Sequence, residues 1–578
     1  MMRRYSLIAG LALSLSACSE DAAEAGGTFA SDTGISDVNA TVDAASDVID
    51  TPDLASTNFE TQDADGGLDT MGPPLALVFE ENPIDSPTPV EVVLEDLNPQ
   101  QKGRLTGGYA NVQNCVADKD AGKAMSVDPG GFKLDLTLCA PKYTALPKDG
   151  AYTHITPPES PSIDSDAFAE VMMYHHIQRI HGFFKDGFGL TDLDYPLDAL
   201  VNVQVYVALC DSWAAFGNAL FTPEGSFNFG IDFDFGFEGA AIIFGQTADK
   251  DFAYEADVIA HEYTHAMIGA TRLNAITVDE QGLSNLAGAL NEGYADYFAC
   301  TTAGDSVIGN YALNAVAGLT VCGVPISTSG NLARDLATFR SCPADLTAEV
   351  HADGEIFASA LWAVRDALGA DKADAVILGA LVGFTQSTGF TEAAQATLAE
   401  AKSTLTQDEA AQVEKAFGDR GLLACERVIA ADRVGLRGIP LTFEAGGALG
   451  DGPLGPVTPG YVQVGFTVPE GAGSVDLVLD IGGGSGDVDA DAVVKAGGSA
   501  VALGPGAGGP GTVHDGVARI ALRKGASNKE LVLTLSGACL SAGPWAAAIL
   551  NEGGGFSVRA ARLELSPDGG DANTLSCP

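Results

Sequence analysis

The chain has 578 residues, enough for several domains, and 46% of them are hydrophobic, so it can bury a sizeable core. Its 77 acidic and 30 basic side chains give a formal net charge of −47, which argues against a nucleic-acid binder, because phosphate contacts need a basic footprint. The acidity favours solubility and points to no particular substrate.

Met1-Met2-Arg3-Arg4 precede an apolar run at residues 7–15 and then Ser16-Ala17-Cys18. A charged start and a short apolar stretch make a signal peptide over residues 1–17, too short to span a membrane as a stable helix. The small residues before Cys18 resemble a bacterial lipobox. That resemblance implies cleavage before Cys18, lipid attachment to it, and an exported lipoprotein at the outer membrane or cell surface, or released from there. An ordinary secreted protein with an incidental Cys18 is the alternative. Residues 18–70 carry 13 acidic side chains and no Lys or Arg. Such a stretch buries too little apolar surface to offset its ordering entropy, so residues 18–73 are expected to form a disordered acidic tether.

Short runs at residues 75–80, 90–94 and 132–138 read as strands of an N-terminal β region over 74–164. That region is either part of a catalytic sheet or the remnant of a prodomain. A helix is expected over 166–184. It carries His175, His176 and His181, which have no acidic partner at metal-binding spacing and read as packing or solvated histidines. Asp232 and Asp234 alternate with Phe, the pattern of a strand with one polar face. Further strands are expected at 201–209 and 240–244.

The densest chemical signal follows in His261-Glu262-Tyr263-Thr264-His265. Residues four apart share a helix face, so His261 and His265 can aim two imidazoles at one ion. Glu262, beside the first of them, can reach a water on that ion as a general base. Glu292 lies 27 residues after His265 and Asp296 four residues later, on a second predicted helix. A carboxylate ligand with another carboxylate one turn on suits a third ligand plus a group that orients a ligating histidine. The alternative is a buried helix with two hydrogen-bonded histidines. Ile268 and Thr271 stand where an extended three-histidine pattern would need Gly and His, which leaves glutamate as the third ligand. The expected cofactor is one catalytic Zn2+. No clear motif indicates Ca2+, and the run Asp487-Val488-Asp489-Ala490-Asp491 reads as an acidic turn.

These residues resemble the fungalysin and thermolysin group of zinc metallopeptidases. Two further segments agree, Asn218-Ala219-Leu220-Phe221-Thr222-Pro223 and Glu349-Val350-His351-Ala352-Asp353-Gly354-Glu355; Ala416-Phe417-Gly418-Asp419-Arg420-Gly421 looks like the end of the helical lobe, and Leu332-Ala333-Arg334-Asp335-Leu336 looks like the segment of the family arginine. The resemblance implies that Asn218 and Ala219 pair with extended substrate, that Arg334 binds a substrate carbonyl, and that His351 stabilises the oxyanion. Thermolysin carries a tyrosine nine residues before its glutamate ligand, where this chain has Leu283. The implied fold class is α+β: a thermolysin-like two-lobed zincin domain over 165–430, with a mixed β lobe and an α-helical lobe.

Thr406-Gln407-Asp408-Glu409 is a capping box before a helix at 410–417. Beyond residue 437 Gly and Pro become dense, and alternating segments at 461–468, 474–481, 517–522 and 530–535 suggest an antiparallel β-sandwich over 437–578. With Cys18 assigned to lipid, nine of the ten cysteines remain, and nearness in sequence suggests Cys115–Cys139, Cys322–Cys342 and Cys539–Cys577. An odd count leaves one thiol over. The expected function is a lipid-anchored zinc endopeptidase acting on proteins or peptides. A non-catalytic binder on the same scaffold and a zinc aminopeptidase are the alternatives.

Overall fold

The computed structural model describes residues 74–565, apart from residues 128–133, 161–164, 229–231, 270–271, 315–319, 323, 326–329, 444–458, 483–487, 507–508, 517, 526, 528, 538–539 and 554–555. The signal peptide, Cys18, the tether, Asp487, and the Cys539–Cys577 pair lie outside the described residues.

The N-terminal strands are β1 (Leu75–Val78), β2 (Val90–Val93), β3 (Ala110–Val116), β4 (Lys123–Val127), β5 (Leu134–Leu138) and β6 (Ala140–Lys142). Then come α1 (Ala167–Phe188), β7 (Leu197–Val207), β8 (Ser212–Ala215), β9 (Ala219–Thr222), β10 (Ser226–Asn228), β11 (Asp232–Asp234) and β12 (Ala241–Gly245). Asp166 caps α1 by accepting from the Phe168 N–H, and Gly189 ends it at φ 72°, a left-handed position that glycine adopts without strain. β11, which holds Asp232 and Asp234, is a strand as their alternation with Phe suggested, and it pairs antiparallel with β10.

In the N-terminal β region, β1 and β2 pair antiparallel with each other in a two-stranded sheet. β3 to β6 join β7, β8, β9 and β12 in one eight-stranded sheet. β7 is its centre: it runs parallel to β3 and β12 and antiparallel to β5 and β8. β12, Ala-Ile-Ile-Phe-Gly, is buried throughout and pairs antiparallel with β9, which forms the sheet's edge.

The metal-motif helix α2 (Ala256–Ile268) packs against α1, β9 and α3 (Leu286–Ala303), and almost every residue of it is buried. Between α2 and α3 runs a small hairpin of β13 (Thr277–Asp279) and β14 (Gly282–Ser284). After α3 come α4 (Val350–Leu368), α5 (Ala370–Leu381), α6 (Phe390–Thr404) and α7 (Gln407–Asp419). The Thr406–Glu409 capping box at the start of α7 is formed.

The chain is thus mixed α+β, with its helices concentrated after α2. Beyond residue 427 it forms two five-stranded sheets. One contains Val428–Ala430, Gln463–Val468, Gly543–Gly553, Asp489–Ala496 and Ala518–Ala521; the other contains Leu441–Phe443, Phe556–Leu565, Ser474–Gly482, Glu530–Ser536 and Arg523–Lys524. Val464, Val494 and Ile549 of the first share a buried cluster with Leu477, Leu533 and Val558 of the second.

Cys115–Cys139 forms as expected. Cys322–Cys342 does not: Cys322 pairs with Cys210, and Cys342 with Cys425. Nearness along the chain does not decide a bridge; Cα separation does, and these pairs lie 5.5 and 5.6 Å apart. Cys300, buried on α3, is the free thiol among the described residues.

Candidate metal centre

Burial of α2 on nearly all sides leaves its two histidines facing α3, not solvent. His261 Nε2 and His265 Nε2 lie 3.1 Å apart. Glu292 Oε2 on α3 lies 3.3 Å from the first and 3.6 Å from the second. Zinc bonds of about 2.0–2.1 Å in a tetrahedron place neighbouring donor atoms about 3.3 Å apart. The three measured separations bracket that value. His261, His265 and Glu292 form the one group of this kind among the described residues. Glu292 Oε2 is buried without a hydrogen bond, although the imidazole nitrogens converge on it. Two imidazole nitrogens and an unspent buried carboxylate oxygen fit a zinc ion.

The other nitrogen of each ring is held as well. His261 Nδ1 lies 2.8 Å from Asp296 Oδ1, and His265 Nδ1 lies 3.0 Å from Asn291 Oδ1. Both contacts favour the tautomer that leaves Nε2 with its lone pair toward the centre. Asn291 had no role in the sequence reading. The expectation that each ligating imidazole needs an oxygen partner pointed to such a residue, but spacing alone did not single it out.

Arg334 comes from a short strand, Arg334–Asp335. The resemblance assigned it to a substrate carbonyl. In the structure its Nε and Nη2 bond both oxygens of Asp296, at 2.7 and 2.6 Å. That two-pronged bond offsets the cost of burying Asp296, which is 1% exposed, and holds its carboxyl well below the usual range against the opposing effect of burial.

Glu262 is 6% exposed, and burial raises its pKa while His261 and His265 pull the other way. A carboxylate raised in this manner is a stronger base than an ordinary surface glutamate. His351, in the first turn of α4, has Nε2 3.3 Å from Glu292 Oε2 and Nδ1 2.7 Å from Glu349 Oε1. Burial disfavours its charged form, but Glu292 and Glu349 prevail and lift it to about 9. Glu349 also caps α4, accepting the His351 and Ala352 N–H groups. Its part as partner to His351 was not foreseen; the sequence shows it only as a carboxylate two residues upstream.

At the sheet edge, the Asn218 carbonyl accepts the Gly245 N–H, so it faces inward and is not available to a substrate backbone. Backbone groups of successive strand residues alternate in direction. Ala219 therefore presents its N–H and C=O to the open edge of β9, as does Phe221. In the β9–β12 register the Asn218 carbonyl thus faces β12, and the Ala219 backbone faces away from it. His176 and His181 are packing residues: His176 Nε2 meets the Phe79 carbonyl at 3.0 Å, and His181 Nδ1 meets the Tyr263 hydroxyl at 2.8 Å. Asp491 of the acidic run is engaged by Arg519 at 2.6 Å.

Glu292 and His351 meet because α3 and α4 pack with glycine against glycine. A Cβ on Gly293 would lie 2.8 Å from the Gly354 carbonyl oxygen, and one on Gly354 would lie 2.8 Å from the Ala289 carbonyl and 3.1 Å from Glu292 Cβ.

Residues 165–423 match the fungalysin metallopeptidase (M36) family, so the resemblance seen in the sequence holds over that region. Among solved structures, the precursor of protealysin, a metalloproteinase from Serratia proteamaculans, is 16% identical; the match covers 57% of this chain and 96% of that one, with a TM-score of 0.33. No curated protein matches the sequence. The family match supports a zinc-dependent metalloprotease.

Gly354→Ala should force α4 away from α3. The expected outcome is a loss of about 1–3 kcal/mol of stability and roughly tenfold weaker zinc binding. Denaturant unfolding and chelator competition check both; parental zinc affinity would show that the close approach does not set the centre.

Proposed function

We propose that this chain, whose residues 165–423 match the fungalysin metallopeptidases, is a zinc-dependent endopeptidase, with His261, His265 and Glu292 as metal ligands. The observation that carries the reading is the convergence of those three donors beside the buried Glu262 carboxylate. When bound, zinc would acidify a water and polarise the scissile carbonyl.

The chain's own residues do the rest. Glu262 takes a proton from the attacking water and delivers it to the leaving amine. His351, with Nδ1–H held by Glu349, carries its second proton on Nε2 and donates toward the carbonyl oxygen as that oxygen gains charge. Asp296, clamped by Arg334, keeps His261 in its ligating orientation. Ala219 offers backbone pairing to an extended peptide along β9, and Asn218 borders that edge. The Arg334 role supported here is orientation of Asp296, with a substrate carbonyl as a further partner.

In this reading the catalytic sheet and the helices after α2 are the two lobes of a zincin, with the centre between them, and the two C-terminal sheets form a β-sandwich. The lipobox resemblance before Cys18 supports a lipid anchor there and export to the outer membrane or cell surface, with the acidic stretch as its tether.

Glu262→Gln should keep zinc and lose turnover by about 10²–10⁴-fold. The assay is cleavage of an unstructured protein by variant and parent, with metal content measured in both. Internal cuts by the parent establish an endopeptidase, stepwise loss of terminal residues an aminopeptidase. Normal turnover by the variant would remove Glu262 from its role. His351→Ala should slow cleavage by about 10²–10³-fold with zinc retained; an unchanged rate would leave His351 a helix-start residue only. Cys18→Ser should release the protein from membranes into the soluble fraction; retention on membranes would end the lipid-anchor reading.

A further inference from the structure

The mechanism makes no use of the C-terminal β region, yet that region is bonded to the two places from which the catalytic helices start. The first is the hairpin of β13 and β14, which leads within two residues into α3 and its Glu292. Arg427, 2% exposed, reaches this hairpin from the chain just before the first C-terminal strand. Its guanidinium forks onto Asp279, with Nη2–Oδ1 at 2.7 Å and Nη1 closing on Oδ2. Nη2 also donates to the Leu283 carbonyl at 3.0 Å, Nε donates to the Tyr461 carbonyl at 2.8 Å, and the backbone N–H donates to Gln281 Oε1 at 2.6 Å. Gln463 adds a bond to the Gln281 carbonyl at 3.0 Å, and the Leu283 N–H donates to the Pro459 carbonyl at 2.9 Å. The backbones approach so closely that a Cβ on Gly282, at φ +120°, would lie 2.7 Å from that Pro459 oxygen.

The second place is the start of α4, which carries His351. Arg437 Nη1 donates to the Ala352 carbonyl at 2.6 Å, and Nη2 bonds Glu355 Oε1 at 2.7 Å. Arg433 holds the Ala344 carbonyl at 2.8 Å, and Cys425 is bonded to Cys342. The two helix starts are themselves tied, because Asn285 Nδ2 donates to the Ala348 carbonyl at 2.9 Å. A module hung on a free linker would show none of these bonds to the catalytic chain.

We infer that Arg427 is a positioning residue for the metal centre: through its grip on residues 279–283, the C-terminal β region fixes where α3 begins and therefore where Glu292 stands relative to His261 and His265. The inference rests on the zinc reading above. An arginine is suited to the task because its planar guanidinium bonds both carboxylate oxygens and a carbonyl from separate nitrogens in fixed directions, where a lysine offers a single ammonium nitrogen.

The test uses the full chain carrying Arg427→Ala, Arg427→Lys or Asp279→Asn, with Arg562→Ala as control. Arg562 holds Asp480, Glu530 and Glu564 within the same C-terminal region and has no part in the hairpin contact. Zinc affinity is read by chelator competition, kcat and KM on an unstructured protein, and the thermal midpoint in parallel. Arg427→Ala should weaken zinc binding about tenfold and lower kcat several-fold with KM nearly unchanged. Lysine should restore part of both, and Arg562→Ala should leave both at the parental level. Asp279→Asn, which leaves every buried side chain in place, should show a smaller loss of the same kind and decides the matter if Arg427→Ala does not fold. Parental zinc affinity and kcat in Arg427→Ala, or in Asp279→Asn where the former is unfolded, would overturn the inference while leaving the enzyme reading intact. A parent that binds no zinc would overturn both.

Discussion

The structure turns on the burial of one carboxylate. Glu292 is 6% exposed and sits on a helix packed on both sides by other helices. An ionised carboxylate in such a place is costly unless positive charge or donors surround it. Three imidazoles point at its Oε2, and their combined effect drives its pKa down even though burial pushes it up. Helix α2 must therefore lie with its histidine face toward α3, α4 must present His351, and both must come close enough for side chains of this length to meet. The glycine-to-glycine crossing of α3 and α4 answers the last requirement.

Around this centre each imidazole nitrogen that is not aimed inward has its own oxygen: Asp296 for His261, Asn291 for His265, Glu349 for His351. The three partners are held in turn. Arg334 forks onto Asp296, Asn291 is one residue from Glu292 on the same helix, and Glu349 is fixed by capping α4. Ring orientation is thus decided by groups anchored to backbone or to a second charge. Under the proposed chemistry this matters more than the identity of the ligands alone, since a rotated imidazole presents the wrong nitrogen.

What could be read in the sequence is what covalent spacing dictates. His261 with His265, and Glu292 with Asp296, share helix faces because residues four apart must, and the strand alternation and the Thr406 capping box hold for similar local reasons. Contacts that depend on how elements come together were not legible. The bond of Arg334 to Asp296 is one of them, since it joins residues 38 apart in sequence. Asn218 was credited with backbone pairing because the direction of its carbonyl is a property of the β9–β12 register. Cys322 was paired with its nearest neighbour, while the fold brings Cys210 to it across 112 residues.

The use of arginine shows how a chain so short of basic side chains holds together. The 77 acids outnumber the 30 Lys and Arg, and an exposed pair such as Lys415–Asp419 contributes little. The arginines at the joints are another matter. Arg334, Arg427 and Arg437 are largely buried, and each satisfies a carboxylate that also touches the catalytic helices or the loops that start them. Loss of one partner there leaves an unpaired charge or carbonyl out of water, a far larger cost than loss of a surface pair. The chain is acidic in excess, yet three of its cations, Arg334, Arg427 and Arg437, sit where the geometry of Glu292 and His351 depends on them.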